Sequence, residues 1–383
     1  MSPTDAAVRD GKDDEFPITL SLGQGIRDFL YSQLFITPKT PDCSFKGQTV
    51  VITGTNSGLG LEAARYFYRL DVSKLVLATR SLSKGLAAKE YIVQSVTSRS
   101  DGASAIEVLT VDISTTASTL AFAECVKSTL PRVDVLLCNA GVRYTQYELV
   151  EGFERNMQTN VLNTFLLALS LLPKLRKTKS NFPESSPHLV IVTSDAHRLT
   201  KFREIDEPDI YAAFNKKETF DGQARYYGTF YCLHILGFCG PPIYLLILHS
   251  STCRYQDSKL LQVLILRELV SRLQGEESGA LSVTINAVNP GLCTTNLQRG
   301  DTSFATRLLQ KLLYRTAEVG ARTLVHAACA GSETYGKYLT DQKIASVEPW
   351  IYTDVGAQVQ LKAYNQTMKI LAERGLPDTE WLR

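Results

Sequence analysis

The sequence predicts an α/β protein built on a doubly wound parallel sheet, and three observations support this fold class. Short apolar runs of buried-strand type alternate with amphipathic helical stretches along most of the chain. Polar or glycine residues directly follow these runs, at the strand ends where such sheets bind ligands. The first run, 50–52, also breaks into a glycine-rich turn that leads into a helical stretch. We expect a single domain, 46–383, after an N-terminal extension, 1–45, that packs on it without carrying chemistry.

Each element follows from its local pattern. In the first helix, apolar residues recur at helical spacing from Leu59 to Leu70, so one face is buried. The predicted strands are 50–52, 75–78, 106–111, 133–138, 189–193 and 281–288, and the further helices are 84–96, 117–129, 153–175 and 263–273.

Composition narrows the class of protein. The 383 residues are 44% hydrophobic and 21% charged, as in ordinary globular proteins, and can bury a large core. A net charge of +2 gives no reason to expect nucleic acid or an anionic membrane as a partner. The eight cysteines form no Cys-x-x-Cys pair, and the five histidines show no metal-ligand spacing. Reduced thiols and the lack of a secretory signal pattern predict a cytoplasmic protein without metal.

The glycine turn indicates a nucleotide site. Strand, glycine turn and helix start together let a backbone approach a pyrophosphate and present a helix N-terminus to its charge. Here the glycines are Gly54, Gly58 and Gly60, a spacing that departs from the commoner G-x-G-x-x-G. A plain strand-to-helix turn is the alternative interpretation.

Charges at the next two strand ends bear on which nucleotide binds. The second strand ends at Arg80, and no Asp or Glu lies between residues 75 and 83. An arginine there accommodates a 2′-phosphate, so the sequence favours NADP(H) over NAD(H), although a solvated loop arginine is the alternative. Asp112 ends the third strand, where Ser114 and the threonines after it make a helix-capping role an equal alternative.

Several motifs resemble those of the short-chain dehydrogenase/reductase family, which has a Rossmann fold. The turn 53–60 is similar to its Thr-Gly-x-x-x-Gly-x-Gly motif, and 139–141 reads Asn-Ala-Gly. Tyr255 and Lys259 form the only Tyr-x-x-x-Lys of the chain, and Pro290-Gly291 closes the sixth strand. The resemblance covers about residues 45–330. The residues around the motifs, such as 58–65 and 78–85, are similar to those of the fungal and retinol-dehydrogenase-like branch of the family.

The resemblance implies roles for individual residues. Tyr255 would exchange the proton, and Lys259, one helical turn away, would lower the phenol pKa and bind the nicotinamide ribose. Ser194 would hold the substrate oxygen, with Thr193 as the alternative, and Asn160 would support a proton-relay water, with Asn163 as the alternative. The implied cofactor-binding residues are Gly54, Ser57, Gly58, Leu59, Gly60, Arg80, Asp112, Asn139, Gly141, Tyr255, Lys259, Pro290, Gly291 and Thr294.

The implied activity is NADP(H)-dependent interconversion of a ketone or aldehyde with an alcohol. The fungal texture implies a lipophilic small-molecule substrate, such as a polyketide or terpenoid of secondary metabolism, contacted by segments 197–222 and 295–318. Members of the family are often homodimers or homotetramers. A catalytically impaired or non-catalytic NADP-binding protein is the alternative, and the motifs also leave a dehydratase or an epimerase open.

One segment departs from the family pattern. Sixty residues separate Ser194 from Tyr255, and 226–253 contains no Asp, Glu, Lys or Arg. A membrane hairpin is one interpretation, although Pro241-Pro242 divides the apolar run into halves too short to cross. A lid over an apolar substrate is the second. The third is a translated, unspliced intron, which is favoured because Arg-Tyr occurs at both borders, 225–226 and 254–255.

Overall fold

The structure is a computed structural model. It describes residues 18, 20–99, 102–200, 202–222, 231–233, 243–245, 253–276, 282–295 and 313–376. Within these ranges, no helix has both the length and the apolar character needed to cross a membrane.

An eight-stranded sheet, seven strands of which are parallel, forms the centre of the fold. Its spatial order is β12-β11-β10-β7-β4-β1-β2-β3, and only the edge strand β12 runs antiparallel. The strands, with two short hairpins outside this sheet, are β1 (Thr49–Thr53), β2 (Lys74–Thr79), β3 (Ile106–Thr110), β4 (Val135–Cys138), β5 (Leu149–Val150), β6 (Phe153–Glu154), β7 (His188–Val192), β8 (Tyr231–Leu233), β9 (Ile243–Leu245), β10 (Thr284–Asn289), β11 (Tyr338–Thr340) and β12 (Lys343–Ala345).

Helices cover both faces of the sheet. They are α1 (Leu22–Phe35), α2 (Gly58–Arg69), α3 (Leu82–Ser95), α4 (Thr116–Thr129), α5 (Asn163–Asn181), α6 (Ile210–Phe214), α7 (Lys217–Gly222), α8 (Cys253–Glu276), α9 (Ala317–Ala327) and α10 (Asp354–Glu373). The predicted doubly wound α/β fold is therefore confirmed.

The continuous apolar runs of the strands arise because both faces of a parallel sheet are buried. In β1, Val51 belongs to one hydrophobic core, whereas Val50 and Ile52 belong to the core on the other face. The strand order reverses between β1 and β4, because β2 and β3 extend to one side and β7 to the other. This reversal opens a crevice at the carboxyl ends of the strands, where sheets of this class bind ligands.

The long helix predicted for 153–175 begins later than expected. Phe153–Glu154 forms a short strand that pairs with Leu149–Val150. The chain then passes through a π-helical turn, Met157–Leu162, before α5 begins. The buried carboxylate of Glu154 marks this boundary, because it accepts hydrogen bonds from the backbone N–H groups of Asn156 (2.9 Å) and Met157 (3.1 Å). The spacing of apolar residues does not report such a contact, so the sequence analysis missed the boundary. Strands β11 and β12, and helices α9 and α10, were also not predicted.

Two parts of the predicted domain division fall partly outside the described residues. In the extension 1–45, α1 packs against the helical turn Asp195–Leu199, which follows β7. In the segment 226–253, β8 and β9 pair antiparallel with each other, and α8 begins at Cys253. The other residues of that segment lie outside the described ranges, so its three interpretations remain predictions.

Candidate active site

A cavity of about 730 Å³ opens at the carboxyl ends of the parallel strands. Its lining brings together the ends of β1, β2, β4, β7 and β10 with the start of α8. The predicted site residues in its wall are Gly54, Ser57, Gly58, Leu59, Gly60, Arg80, Asp112, Asn139, Gly141, Ser194, Tyr255, Lys259, Pro290 and Gly291. Residues that are up to about 240 positions apart in the chain therefore share one site.

The glycine turn lets the backbone itself form one wall of the cavity. Gly54 and Gly58 have positive φ angles of 75° and 60°, which side chains with a Cβ rarely adopt. A Cβ on Gly60 would lie 2.4 Å from the carbonyl oxygen of Gly54, so only glycine permits this approach of helix to strand. The Asn139 side chain braces the turn, since its Nδ2 donates to the carbonyl oxygen of Thr53 at 2.9 Å.

This turn fits the phosphates of a dinucleotide. Helix α2 begins at Gly58, and its preceding residue, Ser57, makes no side-chain capping bond to the free N–H groups of the first turn. The hydroxyl of Thr55 is buried and has no hydrogen-bond partner among the residues that the structure describes. Free backbone N–H groups at a helix N-terminus form a site for an anion.

The end of β2 adds positive charge to the same wall. Arg80 is exposed, lines the cavity and forms no ion pair with any residue that the structure describes. Lys84, which the sequence analysis missed, lines the cavity from the first turn of α3. Its signal was available, because Lys84 is the next cation after Arg80 in the sequence. Two cations here suit an additional phosphate on the ribose.

Asp112 lines the cavity and also orders the turn at the end of β3. Its Oδ1 accepts hydrogen bonds from the N–H (2.9 Å) and the hydroxyl (2.7 Å) of Ser114. The residue that precedes α4 is Thr115, not Asp112. Asp112 therefore shapes the turn before the helix and still faces the cavity.

Ser194 and Tyr255 meet within the cavity. Both side chains line it, and the Ser194 side chain acts on Tyr255 in the direction that lowers the phenol pKa. The Ser194 oxygen also accepts a hydrogen bond from the N–H of Ala196 at 3.1 Å. The Thr193 hydroxyl instead donates to the carbonyl oxygen of Lys259 at 3.2 Å. Of the two candidates at the end of β7, Ser194 is thus the one that pairs with the tyrosine.

Helix α8 is held at its first turn by a buried ion pair. Arg254 Nη1 lies 2.5 Å from Glu204 Oε1 and 3.7 Å from Asp257 Oδ2, and all three side chains are buried. Because Tyr255 directly follows Arg254, this pair helps to set the position of the phenol.

The pKa of Tyr255 is raised, not lowered as the resemblance implied. Burial raises it, and the positive charge of Arg143 and the hydrogen bond from Ser194 oppose this only in part. Lys259 Nζ lies 5.6 Å from the centre of the phenol ring. Burial lowers the pKa of Lys259 to about 7, so its ammonium is only partly charged near neutral pH.

Lys259 is held by two neutral acceptors. Its Nζ donates to the carbonyl oxygen of Val192 and to Oε1 of Gln262, each at 3.0 Å. No carboxylate of the described residues forms a salt bridge with it. The lysine is 5% exposed, so burial disfavours its charged form. Without a carboxylate partner, nothing offsets this effect.

Asn160 lies behind the cavity wall, not in it. Its side chain bonds both the N–H (2.8 Å) and the carbonyl oxygen (2.9 Å) of Val142, and donates to the Ser258 hydroxyl at 2.9 Å. The main-chain carbonyl oxygen of Asn160 accepts a hydrogen bond from Nε2 of Gln262 at 2.7 Å. The alternative, Asn163, donates instead to the carbonyl oxygen of Ile113.

Gln262 therefore bridges Lys259 and Asn160, and the sequence analysis did not single it out. Its position three residues after Lys259 on α8 was the available signal, since such residues share a helix face. A glutamine amide donates at nitrogen and accepts at oxygen, so this bridge positions the lysine.

The loop after β10 completes the site. Gly291 has a φ of 79°, and its N–H donates to Oδ1 of Asn289 at 3.1 Å. Thr294 is exposed and absent from the cavity wall, which Thr295 lines instead. Of the predicted substrate segments, 197–222 contributes Arg198 and Leu199 to the wall, and 295–318 contributes Thr295 and Tyr314. Residues 296–312 lie outside the described residues.

Comparison with known proteins identifies the family. Residues 48–200 match the model of the short chain dehydrogenases. A short chain dehydrogenase/reductase of Cryptosporiopsis sp. (strain 8999), dmxR8, is 37% identical over 345 residues, which is 90% of this chain and 96% of the relative. The protein belongs to the short-chain dehydrogenase/reductase family. A short-chain dehydrogenase of Penicillium roqueforti, anuD, is 35% identical over 352 residues, 90% of this chain and 83% of the relative.

Solved structures show the same fold for this short-chain dehydrogenase/reductase. A putative short chain dehydrogenase from Pseudomonas syringae aligns with a TM-score of 0.53 at 17% identity, over 79% of this chain and 98% of that one. The Pseudomonas aeruginosa RhlG/NADP active-site complex aligns with a TM-score of 0.51 at 17% identity, over 77% of this chain and 95% of that one. The predicted family is confirmed, and its members are oxidoreductases.

Proposed function

We propose that the protein interconverts a ketone or aldehyde with an alcohol on a lipophilic small molecule, and that its cofactor is NADP(H). The observation that carries this proposal is that Ser194 and Tyr255 line one cavity together with Lys259 and the glycine turn. The charges of Arg80 and Lys84 support the phosphorylated form of the cofactor.

The chain's own residues would act on the carbonyl oxygen and its proton. Ser194 and Tyr255 would both donate hydrogen bonds to the substrate oxygen, which holds it and polarises the carbonyl. A nicotinamide held at the glycine turn would supply or accept the hydride at the carbonyl carbon. In reduction, Tyr255 gives its proton to the oxygen, so that the C=O bond becomes a CH–OH group. Arg143 stabilises the phenolate that remains, and the partly charged Lys259 adds to this.

The biological setting is part of the proposal. Fungal relatives such as dmxR8 and anuD support a role in fungal secondary metabolism, where a polyketide or terpenoid carbonyl is the expected substrate class. The described cysteines 43, 125, 138, 293 and 329 are free thiols, in keeping with the reducing cytoplasm. A homodimer or homotetramer remains the expected assembly.

A single comparison tests the catalytic proposal against a non-catalytic nucleotide-binding protein. NADPH consumption is measured with a panel of lipophilic ketones and aldehydes for the wild type and for Tyr255→Phe. We expect the variant to bind NADPH and to lose turnover by about a hundredfold or more, because it lacks the proton donor. Equal rates in both proteins would end the catalytic assignment.

A further inference from the structure

The N-terminal extension contributes a wall to the active-site cavity. Five residues at the start of α1 and in its first half line the same cavity as Ser194 and the glycine turn: Leu20, Ser21, Gly25, Ile26 and Phe29. The extension was expected to carry no chemistry, but its described part, from Leu20 through α1, borders the site. Helix α1 also packs on the turn Asp195–Leu199, which begins one residue after Ser194.

The entry to α1 is anchored by a buried carboxylate. The N–H and the hydroxyl of Ser21 donate to Oε1 of Glu348 at 2.6 Å and 2.8 Å, and Glu348 is 1% exposed. The other oxygen of Glu348 lies 3.3 Å from Nη1 of Arg198, which itself lines the cavity. Ser21 is therefore committed to this bond, which leaves apolar side chains as the surface that this part of the chain presents.

The C-terminal end of α1 is anchored separately. Arg315 Nη2 donates to the carbonyl oxygens of Ser32 (2.8 Å) and Ile36 (3.0 Å), where a cation also favours the negative end of the helix dipole. The same guanidinium pairs with Asp341 at 2.7 Å, and both side chains are buried. Two anchors at opposite ends give α1 a defined position over the cavity.

The two sides of α1 differ in exposure. Ile26 and Phe29 are three residues apart on one helix face and are half-buried in the cavity wall. Tyr31 and Leu34 lie outside that wall and are 60% and 47% exposed. The apolar side chains over the site are thus a separate set from those on the outer side.

We propose that Ile26 and Phe29 select the substrate, by binding an uncharged, apolar part of a carbonyl compound whose oxygen lies at Ser194 and Tyr255. This inference rests on the proposed reductase function and names its substrate class. Apolar side chains contribute binding free energy in proportion to the apolar area they cover, and they offer nothing to a charged group. Substrates too short to reach α1 gain none of this contribution.

The experiment compares kcat/KM for short-chain and long-chain methyl ketones with NADPH. For Phe29→Ala we expect the preference for the long ketone to fall about tenfold or more, with little change for the short one. Phe29→Leu, which keeps an apolar side chain, should give an intermediate preference and remains informative where the alanine variant does not fold. Ile26→Trp should exclude the long ketone, because the larger side chain would occupy the space in the cavity next to α1.

Tyr31→Ala and Leu34→Ala are matched controls on the outer side of the same helix. They should keep the wild-type preference. The inference is overturned if Phe29→Ala and Ile26→Trp change the preference no more than these controls do, or if they raise only the KM for NADPH. In either case turnover of the short ketone by the wild type leaves the proposed function standing.

A second readout separates the two proposals if no carbonyl is turned over. Binding of an uncharged solvatochromic dye is measured by fluorescence for the wild type and for the same variants. Weaker binding for Ile26→Trp than for Tyr31→Ala would support the apolar wall although the reductase proposal had failed. Equal dye binding by these two variants would overturn the proposal that Ile26 and Phe29 bind an apolar group.

Discussion

Replacing Lys259 by methionine should remove a pH dependence of stability that this buried lysine creates. Its pKa is lowered from 10.5 to about 7 by burial. A depressed lysine pKa means that the unfolded chain binds more protons than the native protein between these two values, so stability rises with pH in that window. Below about pH 7 the full cost of burying the ammonium is present, about 5 kcal/mol by this shift.

The expected size of the effect follows from the same two pKa values. Between about pH 6 and about pH 9 the cost of burying the lysine falls from about 5 to about 2 kcal/mol. The wild type should therefore gain about 3 kcal/mol relative to Lys259→Met over this interval, a shift of the urea midpoint on the order of 1 M. Absolute stability at one pH is less informative, because methionine leaves the acceptors on Val192 and Gln262 without their donor.

The assay is urea unfolding of both proteins at the two pH values. Asp257, whose pKa burial raises to about 8, titrates in the same interval with the opposite sign. The quantity compared is therefore the difference between wild type and variant, in which shared groups cancel. Lys46→Met, which removes an exposed lysine, should parallel the wild type. If Lys259→Met also parallels the wild type, the burial argument for this lysine is refuted.

Four further outcomes are expected. Arg80→Glu should move the ratio of kcat/KM for NADPH and NADH toward NADH by about tenfold or more, because repulsion replaces attraction at the 2′-phosphate. Arg254→Leu should lower the free energy of unfolding by about 3–5 kcal/mol, because it removes the guanidinium charge that faces the buried carboxylates of Glu204 and Asp257. Gln262→Glu should raise the pKa of Lys259 and shift the pH profile of kcat upward by about one unit or more. A chain that lacks 226–253 should fold and consume NADPH with a carbonyl, as the intron interpretation requires.

Each of these outcomes has a control and a contrary result. Lys343→Glu, on the opposite edge strand, should leave the nucleotide ratio unchanged, and equal ratios for both variants would contradict the Arg80 assignment. Arg254→Leu combined with Glu204→Leu should recover stability, and a single-variant cost below about 1 kcal/mol would contradict the ion-pair argument. Gln262→Met should not shift the pH profile as glutamate does. A mature transcript that encodes residues 226–253 would contradict the intron interpretation.

Local patterns were sufficient to predict the strands that carry the site. The apolar run at Val50–Ile52 and the polar residue that ends each strand reflect burial on both faces and ligand binding at one edge, which every parallel strand encodes by itself. Tyr255 and Lys259 were likewise readable, because a helix brings residues four apart onto one face. Exposed Thr294 was the one predicted cofactor contact that the cavity wall does not include.

Long-range contacts account for what the patterns missed. Gln262 was unremarkable in the sequence, because its role depends on Asn160, more than a hundred residues earlier. The late start of α5 depends on a carboxylate, Glu154, that is buried only when the domain is assembled. The phenol pKa depends on the desolvation of Tyr255 and on Arg143, and no spacing rule reports desolvation.

By itself the sequence predicted the fold class from local periodicity, and its resemblance to the family predicted the glycine turn and the set of Ser194, Tyr255 and Lys259. Only the tertiary structure decided that α1 covers the cavity, that Gln262 holds the lysine and that Lys259 loses its charge near pH 7. The physical reason is that burial and electrostatic environment are sums over segments far apart in the chain, whereas a sequence pattern reports only neighbours.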